Sequence, residues 1–293
     1  MGLQRRHATG RDYLHLVTNV LQRIRLDSAE GGTWEAADLQ WSWRKDQHTD
    51  PNCATFWMDA EDPVAAVVIT KYPGTLGCDL IAGRAMSHLL PTMWDVAAEA
   101  LTKLPSVAVE MAVRDDDAAT TAVAHAAGFV ADHDSAVSCW LDADDRPPVA
   151  DLASGYRLLS RADVSTSAHH MIMRNGEHVA QRLSECSLYD PSFDLFVEAP
   201  DGSVAAYGLF WPDPVTSVGL VEPMRTEDAH QNRGLARHVL TAGIERLATS
   251  GCRRMKITYM DDNPASRHLY RSAGFQPGDT SRTYRRQPLH QTG

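Results

Sequence analysis

The chain has 293 residues, 43% of them hydrophobic and 23% charged, a length and composition expected of two globular domains. Its net charge of -10 lies in the first half: residues 1–150 carry 12 Lys and Arg against 22 Asp and Glu, whereas residues 151–293 balance 16 against 16. A nucleic-acid binder would be basic, so that class is excluded, and no apolar run of about 18 residues is present to form a membrane span.

The first residues, MGLQRRHATGRDYLHL, hold no apolar core followed by small residues. Arg6 also breaks the myristoylation pattern after Gly2. Neither export nor lipid anchoring is expected, which makes the cytoplasm the expected location. Trp34, Trp41, Trp43 and Trp57 are expected to build a core or a seam between domains, with a stacking platform for a ring-bearing substrate as the alternative. Cys53, Cys78, Cys139, Cys186 and Cys252 are odd in number and widely spread. They suggest neither a disulfide framework nor a metal site, but buried reduced thiols, a lone nucleophile being the alternative. The acidic first half could attract a cationic amine or act only as a solubilising surface.

A weak internal repeat crosses the middle of the chain. Asp115–Phe129 aligns with Asp261–Phe275 with six of fifteen positions identical, and Val64-Ala-Ala66 aligns with Val204-Ala-Ala206. The charged, proline-containing stretch between the copies reads as a linker over 144–153, leaving domains at 1–143 and 154–293.

The second half shows its elements plainly. Tyr156–Leu159 is a strand candidate, and residues 163–187 carry helical patterning. Phe193–Val197 and Val204–Trp211 form a hairpin around Asp201-Gly202, and Val218–Thr226 is a further strand. Leu235, Val239, Leu240, Ile244 and Leu247 recur at helical spacing up to Ser250-Gly251, and Arg254–Tyr259 is again a strand. Asn263 then suits an N-cap, Pro264 the first helical position and Gly274 the stop. Strands followed by a strand–helix–strand–helix run imply a mixed α/β sheet. His169, His170 and His178 fall near where an acceptor would lie, but are expected to be surface or packing residues, and the Asp115–Asp117 triplet a solvated loop.

Gln231-Asn-Arg-Gly-Leu-Ala236 follows a strand and opens a helix. The first amides of a helix lack internal partners and sit at its positive end, so such a turn can hold an anion. Gly234 and Ala236 allow close approach, and Arg233 and Arg237 can add charged hydrogen bonds. The alternative is a loop that merely caps its helix. No dinucleotide-binding or Walker glycine pattern is present.

The pattern Gln231-x-x-Gly-x-Ala236, followed by a helix, a strand and Asn263-Pro-Ala-Ser-Arg-His-Leu-Tyr-Arg-Ser-Ala-Gly-Phe275, resembles the GNAT superfamily of acetyltransferases over roughly residues 155–285. The resemblance implies two tandem GNAT-like domains, each a central, mostly antiparallel twisted sheet flanked by helices. It implies acetyl-CoA as co-substrate, with no metal, and direct transfer to an amine. The pyrophosphate would lie on Gln231, Asn232, Arg233, Gly234, Leu235, Ala236 and Arg237. The pantetheine arm would follow Met224, Arg225 and Thr226, and Asn263 could add a hydrogen bond there.

Tyr270 stands where many family members keep the acid for the CoA thiolate, packing being its alternative. Glu222, in a mostly apolar strand near the expected thioester, is the candidate base, its alternatives being substrate orientation or a solvent-facing position. Pro223 beside it implies a strand irregularity. In the first half Arg84–Leu90 replaces the phosphate loop, and Ala124 and Asp117 stand for Tyr270 and Asn263. That half is expected to be degenerate and not to bind CoA. The expected activity is N-acetylation of a small-molecule amine such as an amino sugar or aminoglycoside. Peptide or protein amines, or a non-catalytic acyl-CoA sensor, are the alternatives, and monomer and homodimer are both open.

Overall fold

The computed structural model describes residues 2–29, 31–44, 53–104, 106–164 and 168–288. In chain order these form β1 (Gln4–His7), α1 (Gly10–Asp27), α2 (Ala36–Ser42), β2 (Cys53–Asp59), β3 (Asp62–Tyr72), β4 (Thr75–Ala82), α3 (Leu90–Leu101), β5 (Ala108–Arg114), α4 (Ala118–Ala126) and β6 (Val130–Asp142). There follow β7 (Arg157–Ser160), α5 (Ile172–Asn175), α6 (Val179–Ser184), β8 (Asp194–Glu198), β9 (Val204–Asp213), β10 (Val218–Thr226), α7 (Leu235–Thr249), β11 (Arg254–Met260), α8 (Pro264–Ser272) and β12 (Gln276–Arg286). Among the described residues no helix is long and apolar enough to cross a membrane.

Two compact units result, Met1–Ala136 with Asp279–Gly293, and Val137–Gly278. The first has strand order β1-β2-β3-β4-β5-β12, the second β6-β11-β10-β9-β8-β7. A single cut at 144–153 does not describe these units, because the last part of β6 belongs to the second and most of β12 to the first. The expected linker lies inside the second unit. The Ala150 N–H donates to Thr241 Oγ1, Arg146 pairs with Glu245, and Leu152 and Ala153 pack on the core. Its prolines stop regular structure without freeing the segment.

Among the described pairings, β4 beside β5 and β10 beside β11 are parallel and set among antiparallel neighbours. β3 carries the fully buried run Ala65–Ile69, the mark of a strand covered on both faces. α1 buries Tyr13, Val17, Leu21 and Ile24 at helical spacing. In the second unit α7 lies very close to β9: a Cβ added to Gly243 would meet the Phe210 ring at 2.0 Å. Each unit centres its core on this layer, around Ile69, Met93 and Phe129 in the first and Phe210, Val239 and Phe275 in the second.

The repeat is visible in three dimensions. Asp117 accepts from the Thr120 N–H at 2.9 Å and Asn263 from the Ser266 N–H at 3.1 Å, capping α4 and α8 in the same way. Gly128 and Gly274 then stop both helices at positive φ, and Phe129 and Phe275 are buried behind them. The Asp115–Asp117 triplet is more than a solvated loop, since Asp115 pairs with Arg282 and Asp116 with Arg114.

Candidate functional site

In the second unit β10 and β11 pair from Val218↔Arg254 to Val221↔Ile257, and the pairing ends there. On its other edge β10 slips register against β9 between Val221 and Met224, then resumes with Met224↔Gly208, Arg225↔Tyr207 and Thr226↔Ala206. Glu222 and Pro223, joined by a cis peptide bond, occupy the slip. Proline donates no ladder hydrogen bond, so an irregularity here is expected. The far end of β10 is thus held on one side and left open on the side facing the parted β11. Thr226 Oγ1 lies in this stretch, buried without a hydrogen-bond partner among the described residues.

The chain next passes a tight turn, Asp228–His230, and reaches the start of α7. Asn232 and Gly234 both adopt left-handed backbone, with φ of 60° and 78°. This rolls the chain so that α7 begins at Leu235 with no side-chain cap on its first amides. Nothing lies within 4 Å of where a Gly234 Cβ would stand, so glycine is needed there for its backbone conformation and not for packing. Gln231, Asn232, Arg233 and Arg237 are exposed around the turn, while Leu235 is buried and anchors the helix. Gln231 Nε2 donates to Asp228 Oδ1 at 3.2 Å and Arg237 Nη1 to Ser272 Oγ at 3.2 Å. Arg225 is drawn to Glu227 and Asp228 instead.

Tyr270 projects from α8 into the core, its ring near Tyr259 and Phe275. Burial first, and then the charge of Glu222, push its phenol up to about 12. The two candidate catalytic groups, 48 residues apart in sequence, therefore feel one another. The backbone of Glu222 is fixed separately, its carbonyl accepting from Trp211 Nε1 at 2.7 Å. Asn263 is exposed and spends its side-chain oxygen on the cap of α8.

A model of the GNAT acetyltransferase family matches residues 164–275. The second unit is a GNAT acetyltransferase domain. Among solved structures, a tandem GNAT protein from the clavulanic acid biosynthesis pathway aligns with a TM-score of 0.69 at 14% identity, covering 97% of this chain and 98% of that one. A GCN5-related N-acetyltransferase from Sphaerobacter thermophilus aligns with a TM-score of 0.65 at 13% identity, over 97% and 95% of the two chains. The glucosamine N-acetyltransferase region of a fungal multi-domain GH3 β-N-acetylglucosaminidase aligns with a TM-score of 0.59 at 13% identity, over 98% of this chain and 38% of that one. No curated protein matches by sequence. At these identities the structures share the fold, and that fold is the tandem GNAT arrangement over nearly the whole chain.

For the GNAT domain, acetyl-CoA is the co-substrate the family implies, and the residues present fit it. An unsatisfied Thr226 hydroxyl lies on the open stretch of β10, and uncapped helix amides stand beside exposed arginines at α7.

The structure also holds a network that sequence reasoning missed. His169 and His170, expected to be surface or packing residues, both turn onto the buried Asp194 at the start of β8, at 3.0 and 3.3 Å. Tyr189 donates to the same carboxylate at 2.9 Å. Burial alone would raise Asp194, but the hydrogen bond from His169 and the close approach of His170 outweigh it and bring the group down to about 2. Burial lowers His170, whose ring stacks on His169 and Phe196.

The ligand atoms of His169, His170 and Asp194 lie within 4.8 Å of one another, as a metal site would require. The tautomer of His169 argues against one. The Met171 N–H donates to its Nδ1, so the ring proton sits on Nε2 and points at Asp194. No local sequence signal marks this cluster, since Asp194 and His169 are 25 residues apart and meet only through the fold.

Cys78, Cys139, Cys186 and Cys252 are buried reduced thiols, and burial raises Cys139 to about 11 and Cys186 to about 12, so Cys139 and Cys186 are inert. The side chain of Cys53 lies outside the described residues. Trp41, Trp43 and Trp57 are core residues, whereas Trp34 is only partly buried.

Proposed function

We propose that the GNAT domain transfers the acetyl group of acetyl-CoA directly to the primary amine of a small molecule. What supports this reading is that Glu222 lies just past the point where β10 leaves β11 and that its charge reaches Tyr270. In this scheme the CoA diphosphate rests on the turn Gln231–Arg237, where the first amides of α7 have no side-chain cap, and the pantetheine arm runs along Met224, Arg225 and Thr226. A backbone N–H of that stretch polarises the thioester carbonyl.

The amine nitrogen attacks the carbonyl carbon and a C–N bond forms. Glu222, directly or through a water, takes the proton the nitrogen loses. The C–S bond then breaks and the electron pair leaves with sulfur as a thiolate, which Tyr270 protonates. A phenol held up to about 12 carries its proton at neutral pH. The proton on Glu222 returns to Tyr270 through solvent, and amide and free thiol leave. No acyl-enzyme forms.

The acceptor class rests on less. The glucosamine N-acetyltransferase among the structural neighbours shares the fold alone, yet it puts amino sugars first in a panel that should also hold aminoglycosides and peptide amines. A thiol-release assay tests the reading. Amine-dependent release of CoA, with Glu222→Gln losing the alkaline rise of its pH–rate profile, is the expected result. Tight acetyl-CoA binding without turnover on any amine would leave an acyl-CoA-binding module. A Glu222→Gln variant with an unaltered profile would remove Glu222 as base.

A further inference from the structure

The first unit also has a split sheet. β4 and β5 pair from Thr75↔Ala108 to Gly77↔Glu110 and then part. Between them, and against the end of α1 and the loop after it, lies a cleft of about 1000 Å³, at the upper end of the range for small-molecule sites. The elements that would make such a cleft an anion site are gone. In place of an open turn the chain forms a 3-10 helix, Arg84–Leu89, whose own carbonyls take up the amides: the Met86 N–H bonds to Gly83 O and the Leu90 N–H to Ser87 O. Pro91, in the first turn of α3, has no N–H to offer.

What replaces them is negative. Asp79 lines the cleft from β4. It pairs with Val68 across the sheet as Met224 pairs with Gly208 in the second unit, so it stands where the GNAT domain has its methionine. Its Oδ1 accepts from Trp34 Nε1 at 3.0 Å, and burial holds the carboxyl up to about 6 despite that bond. The other charges on the wall do not neutralise it. Arg114 is taken by Asp116 at 2.7 Å and Asp279 at 3.1 Å. Asp27 and Asp117 add negative charge against the exposed Arg84. Much of the remaining wall is apolar, with Leu21, Ile24, Ile81 and Ala112 among its members.

A partly buried carboxylate facing a partly apolar cleft is stabilised by an ammonium ion with an apolar body, and opposed to any anion. We propose that the split sheet of the first unit is a binding site for a small organic amine, with Asp79 as the counter-ion and Trp34 positioning it. This site is separate from the GNAT domain and does not depend on the acetyl-transfer reading.

Calorimetric titration of the full chain with 2-phenylethylamine, n-hexylamine and 3-phenylpropionate tests it. The amines should bind and the carboxylate should not. Asp79→Asn, which retains an oxygen for Trp34 Nε1, should weaken amine binding about ten-fold or more while leaving acetyl-CoA affinity unchanged. Ala112→Leu, which fills the cleft without touching its charge, should also abolish amine binding, and circular dichroism and thermal melting should report an intact fold for both variants. Glu222→Gln should bind these amines as the wild type does. No amine heat at millimolar concentration, equal binding of 3-phenylpropionate, amine binding unchanged in Asp79→Asn or Ala112→Leu, or its loss in Glu222→Gln would each overturn the proposal.

Discussion

In the first unit β4 and β5 separate after Gly77 and Glu110; in the second, β10 and β11 separate after Val221 and Ile257. Both splits arise from the same architecture, one parallel pair set among antiparallel ones, and both are followed by a helix lying back across the sheet. Their chemistry differs because of a few side chains and one backbone conformation. In the second unit Gly234 at positive φ starts α7 with no side-chain cap on its first amides, whereas in the first the Met86 and Leu90 amides bond to carbonyls of their own turn. The second unit places Tyr270 where the first has Ala124, and Met224 where the first has Asp79. A shared fold therefore fixes where a ligand can enter and leaves its charge and its chemistry to be chosen locally.

The largest effect expected from breaking this comparison is at Tyr270. Tyr270→Phe keeps the ring in the core and removes only the proton, so kcat should fall about 100-fold or more with little change in the KM for acetyl-CoA. Steady-state kinetics on the accepted amine checks this. A kcat within about two-fold of wild type would reduce the Tyr270/Ala124 difference to one of packing.

Next come two aspartates, Asp194 buried and Asp79 partly buried, which illustrate the same lesson in opposite directions. Asp194 has two hydrogen-bond donors, His169 and Tyr189, with His170 beside it, and is held down to about 2; Asp79 has Trp34 and is held up to about 6. A carboxyl depressed on folding contributes stability above its unfolded pKa of about 4, and that contribution is lost as pH falls towards 2. Asp194→Asn should therefore cost about 3 kcal/mol at neutral pH, because donors built for an anion are left facing an amide. The loss should shrink below pH of about 4, and urea titrations across that range measure it.

For Asp79 the sign reverses. The folded protein binds more protons than the unfolded chain between pH of about 4 and 6, so stability falls as pH rises through that window. Asp79→Asn should then stabilise the protein by about 2 kcal/mol at neutral pH, the full burial cost being reduced because the cleft admits water. Thermal melts at pH 5 and 8 decide the matter: a variant no more stable than wild type at pH 8 would mean that Asp79 already has a second partner.

Much of the second unit was legible in the sequence. The turn at Gly234, the Asn263 cap, the Pro264 start and the Gly274 stop are each set by chemistry within a few residues. β10 was placed at Val218–Thr226 from its apolar run. Hidden from a local reading were features that depend on distant partners. Nothing within β12 states that it is a strand pairing with β5, more than 160 residues earlier. The same holds for Asp194 with His169 and for Asp79 with Trp34. The prolines near 147 signal irregular backbone, which an ordered, packed segment satisfies as well as a free linker does.

The smallest predicted effects test whether the two units share one architecture where their chemistry does not intervene. Asp117 and Asn263 cap α4 and α8 through the same bond to an amide three residues on, at 2.9 and 3.1 Å. Ala at either position should cost about 1 kcal/mol, with the loss at Asp117 somewhat the larger. Its carboxylate also accepts from the Thr120 hydroxyl and its charge complements the helix start, whereas Asn263 is neutral. Because Asn263 could also meet the pantetheine arm, Asn263→Ala additionally tests a binding role. If that variant loses stability but keeps its acetyl-CoA affinity, Asn263 is a cap alone, and the two helix starts differ in charge but not in task. If affinity falls by more than the stability loss explains, the cap has been recruited to the ligand in the unit that retains the phosphate turn, and Asp117 is its counterpart with the cap alone.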